Sequence, residues 1–150
     1  MWAVELAKRG WQVTGIDAVP KAIRRARERA HEAGVEVRFI DGDVTALRGA
    51  DVGSGFRLIM DFGTAHGLKP EELKALGRDV SAVAAADATL LMYATAPGRR
   101  GPLPRGLDRA EIEAAYGGWQ VIDQRAFDVS GTPLKHANPS WYRLRRRRTT

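Results

Sequence analysis

The chain has 150 residues, 44% of them hydrophobic, a formal net charge of +6 and no cysteine. That length and apolar content suit one hydrophobic core, and the missing cysteines remove disulfides, thiolate catalysis and cysteine-ligated zinc or iron–sulfur sites. No window approaches the roughly eighteen unbroken apolar residues of a spanning helix, and MWAVELAKRG is too short and too charged for a secretory leader, so a single domain over residues 1–150 of a cytoplasmic, non-membrane protein is expected.

A short helix comes first, with Trp2 and Leu6 on one face and Gly10 as its stop. Residues 12–16 read as a strand with Asp17 at its carboxyl end. Pro20 then stands where a first helical turn tolerates a missing N–H, and Ile23, Ala26, Ala30 and Ala33 form one stripe of a helix ending at Gly34. The other side carries Lys21, Arg24, Arg25, Arg27, Glu28 and Arg29 and faces water. Residues 35–41 and 56–63 are the second and third strands, and the glycine-punctuated stretch between them reads as loop or a short turn.

Pro70, Glu71 and Glu72 open another helix, with Leu73, Leu76, Val80 and Val83 at spacings of three and four and with Gly77 as a weak point where it would split. The apolar run 88–95 suits a strand covered on both faces. After an irregular segment rich in glycine and proline, Leu107, Asp108, Glu111 and Ile112 fit a hydrophobic staple around a capping box, and the helix stops at Gly117 and Gly118. Two closing strands follow with only a loop between them, so they are expected to be antiparallel. The alternation predicts an α/β fold with a mostly parallel sheet, helices on both faces and an antiparallel carboxyl-terminal strand pair.

In such sheets ligands lie outside the carboxyl ends of the strands. Asp17, Asp43 and Asp61 fall at or just beyond such ends, which would turn three carboxylates toward one crevice, although aspartate also serves at strand-to-helix junctions as a cap. Asp17 suits the two hydroxyls of a ribose; Asp43 and the backbone N–H of Val44 suit the edge of an adenine. The arrangement asks for an adenosine-type ligand. His31, His66 and His136 are far apart and near no acid cluster, so no metal site is expected.

The run VTGIDAVPKAIRRARERA, followed by VEVRFIDGDVTAL, FRLIMDFGTAHGL and ATLLMYA, resembles a class I, Rossmann-like S-adenosylmethionine-dependent methyltransferase of the small-molecule type, over practically the whole chain. The resemblance implies that Asp17, with Ala18 beside it, binds the ribose of S-adenosylmethionine, and that Asp43 and Val44 border the adenine. It implies that Asp61, Phe62 and Gly63 pass beneath the methionine part and begin the substrate wall, and that His66 is the histidine often found there. Family members also start with a strand and a glycine-rich loop of the form D-x-G-x-G-x-G, which nothing in Met1 to Lys8 supplies. In the family order 3-2-1-4-5-7-6 that absent first strand is central. Three outcomes are open: a further amino-terminal segment in the natural product, direct closure of the strands carrying Asp17 and Asp61, or a second copy covering the gap in a homodimer.

The expected reaction is methyl transfer to an N, O or S atom of a small-molecule substrate, with His66 as catalytic base where the nucleophile holds a proton. Tyr93, Trp141 and His136 would line the substrate pocket, although core packing also accounts for the two aromatics. Arg99, Arg100 and Arg105 would attract an anionic substrate or be solvated loop residues. The terminal RLRRRRTT reads as a solvated basic tail, with nucleic acid the less favoured partner. Two other functions fit the same sheet: a cofactor-free degenerate domain acting as a binding or structural protein, and an NAD-dependent oxidoreductase.

Overall fold

Two short runs that end in acids form the first sheet of the computed structural model, which describes residues 2–98 and 104–148. The chain divides into two compact units, Met1–Gly53 and Ser54–Thr150. In the first, α1 (Trp2–Lys8) leads to β1 (Thr14–Asp17), α2 (Pro20–Glu32) and β2 (Arg38–Asp41). β1 and β2 are parallel, from Thr14 opposite Arg38 to Asp17 opposite Asp41. Both are shorter than the apolar runs because a ladder extends only where each strand has a partner. α2 buries Ile23 and Ala30 and leaves its arginines exposed. The stretch read as loop or a short turn contains a 3-10 turn, Val44–Ala50, anchored by buried Leu47.

The second unit runs β3 (Phe56–Phe62), a 3-10 turn at Ala65–Gly67, α3 (Pro70–Val83), β4 (Ala84–Ala94), α4 (Arg109–Ala115), β5 (Trp119–Ala126) and β6 (Ser140–Arg146). Its sheet order is β3-β4-β6-β5, with β3 and β4 parallel and β6 antiparallel to both neighbours. The mixed sheet and antiparallel closing pair are those expected. On one face of β4 Ala88, Leu90, Met92 and Ala94 are buried; on the other Thr89 and Leu91 are half-buried and Tyr93 is buried, so the apolar run is covered on both faces, more fully on the first. With Leu73, Leu76, Val80, Ile112, Tyr116, Trp119 and Leu144 that first face makes the core.

The orders β2-β1 and β3-β4-β6-β5 match the two arms of the family order, and β1, which carries Asp17, and β3, which carries Asp61, belong to separate sheets.

Three local devices hold the second unit. Asp108 and Glu111 cap α4 reciprocally, Glu111 N–H donating to Asp108 Oδ1 at 2.8 Å and Asp108 N–H to Glu111 Oε2 at 3.0 Å, over fully buried Leu107 and Ile112. Gly77 does not split α3, which is continuous; a β-carbon there would collide with the carbonyl oxygen of Ala115, so glycine lets the two helices meet at backbone distance. The arginine run is not a loose tail. Arg146 belongs to β6, donates to the carbonyls of Ser81 at 2.9 Å and Ala84 at 3.2 Å, and lies 5.6 Å from the centre of the Trp119 ring. Its Nη1 alone serves both of these carbonyls at the end of α3. Trp119 in turn donates its indole N–H to Ser81 Oγ at 2.9 Å.

Gly77→Ala is expected to cost about 1–3 kcal/mol by overpacking, and Asp108→Ala about 1 kcal/mol by loss of the cap, each read as a lower midpoint in urea denaturation.

Candidate functional site

Parallel pairing carries β1 and β2 to the same rim. Asp17 ends β1 opposite Asp41, and the N–H of Gly42 donates to the carbonyl of Asp17 at 3.0 Å, so Asp43 follows directly on that rim. The Asp17 carboxylate is exposed and its Oδ1 accepts the N–H of Val19 at 2.8 Å, which folds residues 17–19 into the entry of α2. Ala18, also exposed, adds no bulk at the rim. Asp43 is exposed as well, and its Oδ1 accepts both the hydroxyl of Thr45 at 2.7 Å and its N–H at 2.8 Å. The hydroxyl bond first, and the backbone bond second, hold this carboxyl below the usual carboxylate range. Val44, half-buried, begins the turn. In each acid these bonds leave Oδ2 uncommitted. Two outward acceptors on one rim have the donor preference of a nucleoside, whose ribose hydroxyls and amino group all present hydrogens.

In the second unit, Asp61 sits near the end of β3 opposite Met92. Its Oδ1 accepts the N–H of Thr64 at 2.7 Å and its Oδ2 that of Ala65 at 3.0 Å, so both oxygens close the turn that follows the strand. Burial raises its pKa against the lowering effect of those bonds. Gly63 reverses the chain at φ +86°, where a β-carbon would stand 3.3 Å from His66 Nε2. Glycine thus allows both the reversal and the approach of the ring. Phe62 alternates to the opposite side of the strand and is 58% exposed.

His66 is only 7% exposed, and burial pushes its pKa below the ordinary value. Its Nδ1 lies 3.1 Å from the backbone nitrogen of Thr95, which can only donate. The neutral ring therefore carries its proton on Nε2. The expected base role meets a physical obstacle here: Nδ1 is occupied by the Thr95 N–H, and Nε2 already holds a hydrogen.

Tyr93 and Trp141 are brought together with Phe62. Phe62 is the register partner of Tyr93, and Tyr93 of Trp141, with ring centres 4.9 and 5.7 Å apart. Phe127, which the sequence reading passed over, meets Tyr93 edge-on at 5.9 Å; its only sequence signal was an aromatic within the run read as the first closing strand. His136 is exposed in the loop before β6. Arg105 pairs with Glu111 at 2.8 Å, and Arg99 and Arg100 lie outside the described residues. In the first unit a groove of about 720 Å³, lined by Trp11, Arg27, His31 and Phe39 among others, opens near the amino ends of β1 and β2, away from the acids. Among the described residues no group of three or more histidines or acids is placed to hold a metal, and no helix is long and apolar enough to cross a membrane.

A family profile described as a methyltransferase domain matches residues 1–87. No match is found among curated proteins. The fold is similar to a structure solved in work on the conversion of a disulfide bond into a thioacetal group during echinomycin biosynthesis, with TM-score 0.76 and 23% identity over 96% of this chain and 70% of that one. It is similar also to a protein of Pyrococcus horikoshii OT3, with TM-score 0.76 and 16% identity over 97% of this chain and 76% of that one. A third similar structure is the N-methyltransferase NodS of Bradyrhizobium japonicum WM9 in complex with S-adenosyl-L-homocysteine, with TM-score 0.75 and 16% identity over 91% of this chain and 67% of that one. The profile covers more than half of the sequence, and the chain belongs to this methyltransferase-domain family, with a Rossmann-like α/β fold.

Proposed function

We propose that the chain binds S-adenosylmethionine with Asp17 and Asp43 and passes its methyl group to an N, O or S atom of a small molecule. The observation that carries this reading is the pair of exposed carboxylates on one rim of the β1–β2 sheet, each with one oxygen used to shape its own turn and one left over. When bound, the cofactor supplies a methyl group already activated on a sulfonium, so the protein's part is to bind and orient.

Asp17 Oδ2 accepts hydrogen bonds from the ribose, with Ala18 leaving room beside it. Asp43 Oδ2 accepts from the adenine amino group, and the N–H of Val44 donates to the ring edge. In the second unit Asp61 acts through the turn it closes, holding Phe62 and Gly63 in place. His66 presents Nε2–H, which supports a hydrogen-bond donor to the acceptor molecule in place of a base. The acceptor then attacks with a lone pair it already has, or sheds its proton to solvent.

Calorimetric titration with S-adenosylmethionine should show binding that Asp17→Ala and Asp43→Ala each weaken by about tenfold or more, the scale expected when a polar partner is removed; NAD should give no heat. Equal affinity in the Asp17→Ala protein would remove the basis of the assignment.

The His66 pKa, depressed by burial, generates a second expectation. Below the ordinary histidine value the unfolded state binds a proton that the folded ring resists, so stability present above about 6.5 is lost as pH falls through the folded value. Asn retains an acceptor for the Thr95 N–H without titrating. The urea midpoint of the parent chain should therefore fall more steeply on acidification than that of His66→Asn, and parallel curves would contradict the buried neutral ring.

A further inference from the structure

We infer that the methyl acceptor is a planar aromatic acid seated on the ring row formed by Phe62, Tyr93, Trp141 and Phe127. This rests on the methyl-transfer reading for the word acceptor, but not for the existence of the binding surface.

The row follows from register. Phe62 on β3, Tyr93 on β4 and Trp141 on β6 are successive cross-strand partners and so share one face of the sheet. Phe62 stacks on Tyr93 at 4.9 Å and 23° and lies 5.7 Å from Trp141. Core packing explains Tyr93, which is buried. It does not explain Phe62 and Phe127, which remain 58% and 47% exposed while touching it. Phe62 has one face against Tyr93, so its exposure lies toward solvent, where a flat ring would continue the stack. The row also adjoins the turn that carries His66, whose ring centre is 6.3 Å from that of Tyr93.

Charge selects the ligand further. Trp141 is opposite Arg125 on β5, and the same face of β5 and β6 continues with Asp123 opposite Arg143 and with Arg145, so three arginines face one carboxylate there. Arg125 is paired with Asp123 at 3.1 Å yet 82% exposed, which leaves most of its guanidinium facing solvent. An anionic substituent on the ring gains from this excess, whereas an ammonium, although attracted to ring faces, is repelled by it.

The test uses the whole chain and hydroxynaphthoate as probe, with the fully saturated bicyclic acid and naphthylmethylamine as comparisons. Hydroxynaphthoate should bind in calorimetry, and both comparisons should bind at least about threefold more weakly. Phe127→Leu, which keeps an exposed apolar side chain, should weaken hydroxynaphthoate by about three- to tenfold and Phe127→Trp should restore it; Arg125→Gln should weaken the acid and lessen its salt dependence. S-adenosylmethionine titrated into the same samples reads the cofactor separately. Ring binding without cofactor heat would keep the surface and remove the methyl-transfer reading. Cofactor heat with no hydroxynaphthoate binding, equal binding of the saturated acid, or tighter binding of the amine would each overturn the aromatic-acid proposal.

Discussion

At the end of each of the first three strands an aspartate turns its carboxylate onto backbone N–H groups two to four residues ahead: Asp17 to Val19, Asp43 to Thr45, Asp61 to Thr64 and Ala65. This single bond type decides how the chain leaves each parallel strand. A strand that must be followed by a crossover needs its next few N–H groups satisfied before a helical ladder can take them, and a short acid is the side chain that reaches them. Asp43 caps the 3-10 turn and Asp17 closes a turn ahead of α2 without capping it, and each does so through one oxygen.

Asp61 shows the opposite balance. Both of its oxygens go to the turn, and burial opposes its charge, so its contribution is to hold Gly63 and His66 in register. His66 then ties that turn to the end of β4 through Thr95. The same contact that makes the ring rigid also fixes its tautomer, which is why a histidine in the position expected of a base acquires the hydrogen-bonding sense of a donor.

The succession of elements, the parallel and antiparallel pairings and the α4 cap were legible because each has a short-range signal: alternation of elements, a loop too short for a crossover, or an acid pair three residues apart at Asp108 and Glu111; the strand order came only from the family resemblance. What could not be read depends on contacts between distant residues. Gly77 looked like a defect because its reason, the carbonyl of Ala115, lies on another helix. The terminal arginines looked like a solvated tail because the carbonyls that Arg146 serves are at Ser81 and Ala84. Phe62 was noticed for its neighbours in sequence, but its stacking on Tyr93 exists only through strand register. At the candidate site the residue types were legible, and the direction of each hydrogen bond was not.

The position of β6 has a consequence for how the second unit comes to be built. It lies between β4 and β5 although it follows every other strand of the described residues, and the Arg146 contacts to Ser81 and Ala84 span 65 and 62 residues. Until residues 140–146 leave the ribosome, β4 and β5 each lack this neighbour and the end of α3 lacks its guanidinium. Maturation of this half is thus a late, long-range event, and a nascent chain stalled before β6 would display adhesive strand edges for which chaperones and neighbouring polypeptides compete.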